Sequence, residues 1–230
     1  MKGLYHGIGL MAACCLLFAV LITSVEAVVY WNTGYFEKQY RKYDVLEQVH
    51  MEMEDLLYVT EEMMAYLKDE REDLKILTVV DGEERFFFNE KETRHMVDVQ
   101  ALFLKAMQYR RAAIGLLVLA GGWLLWKKQE VVLWRMLKWG IGLFVGSMAG
   151  LALLIFTNFT KYFTCFHLIF FDNDDWILNP KTDLLINIVP EGFFRDTAFL
   201  IAGVFLTAAA ALWLLAAFLY KRAEKQRKII

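Results

Sequence analysis

Four long runs of this sequence contain no lysine, arginine, aspartate or glutamate, and they constrain its fold more than any other feature. The runs are residues 3–25, 112–126, 139–160 and 197–220. A helix that crosses a membrane needs roughly 20 apolar residues, so the first, third and fourth runs are long enough by themselves. The second run is shorter, and it can cross if its helix begins upstream and the flanking basic side chains extend toward the headgroups. The pattern predicts a membrane α-helical protein with four transmembrane helices.

The first run has a second interpretation as a cleavable signal peptide. Lys2, the apolar stretch and "VEA" at residues 25–27 resemble that signal. The apolar region of a signal peptide is usually about 7–15 residues long, and this run is longer. We therefore expect a membrane anchor.

Basic residues predict the orientation in the membrane. The segment after the second run has Lys127, Lys128, Arg135 and Lys138 against one acid, and the tail after Tyr220 has five basic residues against one acid. Segments rich in lysine and arginine favour the cytoplasmic side. Both termini are therefore predicted to be cytoplasmic in a multi-pass protein of the cell membrane. The outward segments are acidic, which disfavours nucleic acid as a partner.

These predictions divide the chain into eight segments. They are a first transmembrane helix over 1–29, an extracytoplasmic domain over 30–107, a second helix over 108–127, a cytoplasmic linker over 128–136, a third helix over 137–160, an extracytoplasmic loop over 161–196, a fourth helix over 197–220 and a cytoplasmic tail over 221–230.

The first outward segment has the pattern of a small α+β domain between the first and second spans. Apolar residues at helical spacing predict one amphipathic helix within residues 43–67. Two β-prone runs around Asp81-Gly82 predict a hairpin. Asn89 and Glu92 are spaced as a capping box that opens another helix.

Glycines in the third run predict how its helix packs. Gly142, Gly146 and Gly150 recur every four residues, which indicates a face that a second helix can approach closely. Ser147, beside them, is expected to form a hydrogen bond between helices.

Familiar catalytic motifs are absent, and this absence directs attention to histidine. The sequence has no H-E-x-x-H, no P-loop and no dinucleotide fingerprint, so zinc proteolysis and nucleotide chemistry lack their usual signatures and no metal site is predicted. His6 and His50 are interpreted as structural or solvated. His95 and His167 belong to different outward segments, and a folded domain could bring them together.

Two acidic residues accompany His95 in the sequence. Glu92 and Asp98 lie three residues on either side of His95, on the same helical face, where either could orient the imidazole. Under the alternative interpretation, Glu92 only caps the helix and His95 is one more polar residue of its first turns.

The stretch "FHLIFFDNDDWILNP" (residues 166–180) admits three other interpretations. A calcium loop is disfavoured because Ile177 occupies the glycine position. Cys165 and His167 could be a thiol and its base, although alternation on an extended chain also makes them neighbours. Phe170, Phe171 and Trp176 could form an interfacial aromatic belt, but such a belt does not need so many carboxylates.

Two motifs of the sequence resemble one known family. "ETRHMVDV" (92–99) and "FHLIFFDNDDWILNPKTDLLINIVPEGFF" (166–194), on a four-span layout, are similar to the lipoprotein intramolecular transacylases called Lit. The resemblance implies that His95 and His167 are catalytic. It also implies that three residues of the second motif support them: Asn173, Asp174 and Trp176. Asp172 and Asn179 depart from the commonest pattern.

The activity that the resemblance implies is acyl transfer within one lipoprotein molecule, on the outer face of the membrane. The sn-2 acyl chain of the diacylglyceryl-modified N-terminal cysteine moves to the α-amine of that cysteine and leaves a lyso-form lipoprotein. The implied partners are a diacylated lipoprotein and membrane lipid, with no cofactor. Two other functions stay open, a membrane-anchored ligand- or partner-binding sensor without catalysis and an accessory membrane protein. Nothing in the sequence predicts the oligomeric state.

Overall fold

Helices dominate the computed structural model, which describes residues 2–228. Three of them are long and apolar enough to cross a membrane: α1 (Lys2–Val29), α6 (Glu130–Thr157) and α9 (Glu191–Arg227). The predicted second span, 108–127, falls on α5 (Glu90–Trp126) except for its last residue, and α5 is not one of these three helices. Its apolar part is the shortest of the four runs, as the sequence indicates. The count of four spans therefore stays a prediction.

The chain forms two compact units. The helical unit comprises Met1–Glu26, Met107–Thr157 and Leu200–Ile230, and the α+β unit comprises Ala27–Ala106 and Asn158–Phe199. In the helical unit, apolar side chains from α1, α5, α6 and α9 pack into two clusters. Their buried members are Ala13, Leu124, Leu133, Leu137 and Ala216 in one, and Leu17, Ile141, Phe205 and Ala209 in the other.

The predicted glycine face of α6 is confirmed only at Gly142, where a Cβ would lie 3.7 Å from Trp213 Nε1 on α9. At Gly146 and Gly150, no described atom outside the adjoining backbone of α6 lies within 4 Å of the position that a Cβ would take. The close approach occurs at Gly140, where a Cβ would lie 2.5 Å from the Cβ of Ala13 on α1. The two helices meet there because each carries a small residue. Ser147 donates to the carbonyl of Phe144 in its own helix (2.8 Å), so its predicted bond between helices is wrong.

The α+β unit contains short helices, one hairpin and the first turns of α5 and α9. Its complete elements are α2 (Tyr35–Lys42), α3 (Val45–Val49), α4 (Met53–Leu67), β1 (Leu77–Val80), β2 (Glu83–Phe86), α7 (Phe159–Phe170) and α8 (Leu185–Ile188). Its fully buried side chains include Tyr40, Leu56, Ile76, Phe87 and Ile188. They come from both segments of the unit, so its two segments share one core.

The hairpin is confirmed at the predicted position. Strands β1 and β2 pair antiparallel, with Leu77 opposite Phe86 and Val80 opposite Glu83. Asp81 and Gly82 both have positive φ, 56° and 77°. A two-residue turn with positive φ at both positions has the twist that favours tight hairpins.

The predicted single helix over residues 43–67 is wrong, because the chain breaks at His50. His50 adopts the left-handed conformation (φ 49°) and ends α3, and α4 begins at Met53. The carbonyl of His50 accepts a hydrogen bond from the backbone N–H of Asp81 in the hairpin turn (3.1 Å). Helical spacing continues across the break, so the sequence pattern conceals it.

The capping box at the start of α5 is confirmed. The backbone N–H of Glu92 donates to Asn89 Oδ1 (2.9 Å), and that of Asn89 donates to Glu92 Oε2 (2.7 Å). These reciprocal bonds satisfy donors that the first turn of a helix leaves unpaired.

Candidate active site

His95 and His167 lie side by side in the α+β unit. His95 is in the second turn of α5 and His167 is near the end of α7, and the centroids of their rings are 6.1 Å apart. Both side chains are buried, each about 7% exposed. The fold thus brings together the two histidines that the sequence analysis selected from different segments.

The hydrogen bond of His167 determines which ring nitrogen carries its proton. Nδ1 lies 2.8 Å from the backbone carbonyl of Phe163, one turn earlier in α7. A carbonyl can only accept, so Nδ1 is the donor. The neutral ring therefore has its lone pair on Nε2.

Cys165 does not pair with His167 as an extended chain would allow. Residues 159–170 form a helix, and two positions along a helix differ by about 200° around its axis. Cys165 is exposed whereas His167 is buried. The helix therefore rules out the extended-chain alternative and separates the thiol from the imidazole that it was suggested to pair with.

Aromatic side chains surround the two imidazoles. Trp176 stacks on His167 with centroids 4.8 Å apart, and Phe163 lies edge-on at 4.4 Å. Phe171 contacts His95 edge-on at 5.2 Å. The aromatic belt interpretation fits only Phe170, which is exposed, because Phe171 and Trp176 contact the histidines.

This environment keeps both imidazoles neutral at neutral pH. Burial and the neighbouring His167 lower the pKa of His95 to about 4, against the opposing effect of Asp98 and Asp175. Burial also lowers the pKa of His167, although its bond to the Phe163 carbonyl opposes the shift. A charged imidazole is disfavoured away from water, whereas a neutral one can act as a base.

Polar side chains link α5 to the loop that follows α7. Asp98 accepts a hydrogen bond from Asn173 Nδ2 (2.8 Å), and Arg94 pairs with both carboxylate oxygens of Asp175 (2.9 and 3.0 Å). Sequence analysis selected Asp98 and Asn173 separately and missed Arg94 and Asp175. No spacing rule joins residues 81 positions apart.

Glu92 supports the site differently from the prediction. Its side chain is about 1% exposed; Oε1 accepts from the backbone N–H of Leu185 (2.6 Å) and Oε2 from that of Asn89. Burial raises the pKa of Glu92, while these backbone donors oppose the shift. The carboxylate therefore caps α5, as the alternative interpretation of Glu92 expected, and it also holds Leu185, the first residue of α8.

The remaining predicted supporting residue, Asp174, is exposed. Its backbone carbonyl accepts from the N–H of Ile177 (3.1 Å), which shapes the loop on which Trp176 lies. Across residues 2–228, no group of three or more histidine, cysteine, aspartate or glutamate side chains is placed to hold a metal ion.

Comparison with known proteins gives consistent results. The family of lipoprotein intramolecular transacylases Lit matches residues 10–194. An uncharacterized protein of Aquifex aeolicus (strain VF5) is 27% identical over 191 residues, which are 81% of this chain and 83% of that protein. The solved structure of the membrane-integral transacylase Lit from Bacillus cereus has a TM-score of 0.78 with this chain at 23% identity, covering 100% of both. A structure of the same protein with a histidine-to-alanine mutation has a TM-score of 0.77 at 24% identity, covering 97% of both.

The likeness in fold to a membrane-integral protein agrees with the three long apolar helices, so this chain is a membrane protein. The family match covers most of the sequence and includes both histidine motifs. The chain belongs to the Lit family of lipoprotein intramolecular transacylases.

Proposed function

We propose that this protein moves the sn-2 acyl chain of a diacylglyceryl-modified N-terminal cysteine to the α-amine of the same cysteine, and so produces a lyso-form lipoprotein. Family membership supports this general activity. The observation that carries the proposal is the pair of buried, neutral imidazoles of His95 and His167, 6.1 Å apart. Two neutral imidazoles at this spacing suit a reaction in which the attacking amine loses a proton and the leaving oxygen gains one.

His167 suits the role of general base. An α-amine has a pKa of roughly 7.7–8, so a substantial fraction is neutral at neutral pH. As the amine nitrogen attacks the ester carbonyl carbon, it must lose a proton. The Nε2 lone pair of His167 can accept that proton, because Nδ1 is already held by the Phe163 carbonyl.

His95 then completes the exchange of protons or stabilises charge. When the new C–N bond forms, the electrons of the carbonyl double bond move to oxygen. Their return breaks the bond to the glyceryl oxygen, which takes up a proton and leaves as an alcohol. The proton that His167 accepted from the amine can return to that oxygen through His95, or the N–H of neutral His95 can donate a hydrogen bond to the oxyanion. The products contain every atom of the substrate, so the reaction needs no cofactor and no second acyl donor.

The membrane arrangement that we propose follows the basic residues of the sequence. Four spans with the linker and tail in the cytoplasm would place both segments of the α+β unit on the outer face. A lipoprotein with its acyl chains in the outer leaflet would then present its ester and amine to that unit. In this arrangement the α+β unit is the small extracytoplasmic domain together with the loop before the last span.

A synthetic lipopeptide with different acyl chains at sn-1 and sn-2 tests the proposal. After incubation with the purified protein in lipid nanodiscs, mass spectrometry should find the sn-2 chain on the amine. Mixing deuterated and unlabelled lipopeptides should give no crossed products, because the transfer is intramolecular. An unchanged lipopeptide that nevertheless binds the protein would contradict the enzyme and support the sensor.

A further inference from the structure

Two buried polar atoms without partners lie in the histidine site. Within the described residues, four buried side-chain nitrogen or oxygen atoms have no hydrogen-bond partner, and two of them are His95 Nδ1 and Trp176 Nε1. A buried tryptophan N–H is normally bonded, because an unpaired donor away from water is unfavourable. Two such exceptions in one cluster indicate a site built to pair with something that the chain itself does not supply.

The ring of Trp176 lies directly against the proposed base. It stacks on His167 with an interplanar angle of 29° and centroids 4.8 Å apart. The indole N–H is therefore carried on a ring that contacts the imidazole at which the amine would lose its proton. Unlike imidazole, indole offers only a donor and does not titrate, so its N–H is available at every pH at which the protein is folded.

The backbone around Trp176 is tied to α5 on both sides. Before it, Asp175 pairs with Arg94; after it, the carbonyl of Ile177 accepts a hydrogen bond from Lys91 Nζ. Arg94 adjoins His95 in the sequence. These links hold the indole in register with both histidines, as a preorganised donor requires.

When His95 passes the proton to the glyceryl oxygen, the developing oxyanion needs another hydrogen-bond donor. The N–H of His167 is occupied by the Phe163 carbonyl, and its Nε2 must stay free to accept the proton of the amine. The developing oxyanion therefore has no donor from His167. The unpaired indole N–H is of the type that stabilises such an oxygen.

We propose that Trp176 is a further catalytic residue, whose indole N–H donates a hydrogen bond to the carbonyl oxygen of the sn-2 ester as that oxygen becomes an oxyanion. The inference rests on the proposed acyl transfer. In the first step the amine nitrogen bonds to the carbonyl carbon, and the electron pair moves to the oxygen that Trp176 holds. In the second step that pair re-forms the carbonyl, and the glyceryl oxygen leaves with a proton. Trp176 neither gains nor loses a proton.

Replacing Trp176 with 3-benzothienylalanine tests this donor directly. This residue has sulfur in place of the indole N–H and preserves the size and stacking of the ring. With the two-chain lipopeptide, we expect kcat to fall at least about a hundredfold while KM and the melting temperature stay near those of the unmodified protein. The same replacement at Trp31, which is 63% exposed, is the matched control and should leave kcat unchanged.

A second variant and a second substrate keep the test decisive. Trp176→Phe removes the same donor with a natural residue, and near-normal kcat in either folded variant would overturn the proposal. A raised KM with an unchanged kcat would also overturn it, because the ring would then only bind substrate.

A substrate with a thionoester at sn-2 gives a second test, because its sulfur accepts hydrogen bonds poorly. With this substrate, the benzothienylalanine variant should be little slower than the unmodified protein. If the unmodified protein transfers no acyl chain at all, the proposed function fails instead.

Discussion

At the scale of single residues, burial sets the protonation state of His95 and His167. Each ring is buried among aromatic side chains, and the fold lowers both pKa values. Asp98 and Asp175, which would favour charged imidazole, are instead paired with Asn173 and Arg94. The result is a pair of neutral bases rather than a charged pair.

Removing either histidine should abolish most of the transfer. A positioned acid or base typically contributes 10²–10⁴-fold, so we expect His95→Ala and His167→Ala each to lower kcat at least about a hundredfold. Because the two rings would act as a unit, the double variant should be little slower than either single variant. Asp174→Ala should cost less, since its side chain is exposed.

Rates from the lipopeptide assay check this prediction, with His6→Ala as a control far from the site in sequence. Multiplicative losses in the double variant would instead indicate independent roles. Near-normal activity in either single histidine variant would remove that residue from the mechanism.

The dependence of kcat/KM on pH should indicate that both histidines stay neutral at pH values below the ordinary histidine pKa. The substrate amine must be neutral to attack, so log kcat/KM should rise with a slope of about one as pH increases toward roughly 7.7–8. Protonation of a histidine adds a second unit of slope. Because the pKa of His95 is about 4 and that of His167 is lowered from 6.5, this steeper limb should appear only below pH 6.5. A slope of two already above pH 6.5, measured in nanodiscs, would show a charged imidazole.

At the scale of secondary structure, the two helices that carry the histidines are held by their termini. Glu92 joins the first turn of α5 to the first residue of α8, and Asn158 caps α7 by accepting from the N–H of Lys161 (3.0 Å). The bond of Asn158 stays within one helix end, whereas that of Glu92 reaches a part of the chain that is distant in sequence. They set the position of each imidazole without contacting it.

Glu92→Gln should weaken the start of α5. The amide nitrogen of glutamine would face one of the two backbone N–H groups that the carboxylate now accepts, and would leave that donor unpaired. An unsatisfied buried donor costs about 1–3 kcal/mol. Thermal unfolding in detergent should show a clear loss of stability, whereas Glu90→Gln, at an exposed position in the same turn, should change it little. Equal melting temperatures for the two variants would contradict the structural role of Glu92.

Two glycines of α6 should respond differently to the same substitution. Gly140→Val would force a side chain into the Cβ of Ala13 and should lower the melting temperature. At Gly146 the added side chain would enter open space within the described residues, so Gly146→Val should leave the melting temperature nearly unchanged. If Gly146→Val proved the more harmful, a partner that packs on the other glycines would have to be considered.

At the scale of the whole molecule, the orientation in the membrane can be tested with fused reporters. The basic linker and tail favour the cytoplasm, so reporters placed after Lys128 or Lys225 should report the cytoplasmic side. Reporters within residues 69–84 should report the outer side. The opposite pattern would move the histidines away from the outer leaflet and contradict the proposed substrate.

Local patterns were sufficient to predict several parts of this protein. The long apolar helices, the Asp81-Gly82 turn and the Asn89–Glu92 cap each depend on residues close together in the sequence, so composition and spacing could reveal them. Both histidine motifs are likewise visible in the sequence, and the resemblance that they carry agrees with the family match.

Tertiary structure decided what depends on distant neighbours. The break at His50 follows from a bond to the hairpin turn, and the close approach at Gly140 follows from where Ala13 meets α6. The pKa of His95 reflects burial and the neighbouring His167, which is 72 positions away in the chain (167 − 95). Sequence alone could therefore select the imidazoles, but only the packed fold makes them neutral and adjacent, because burial and electrostatic coupling act through space.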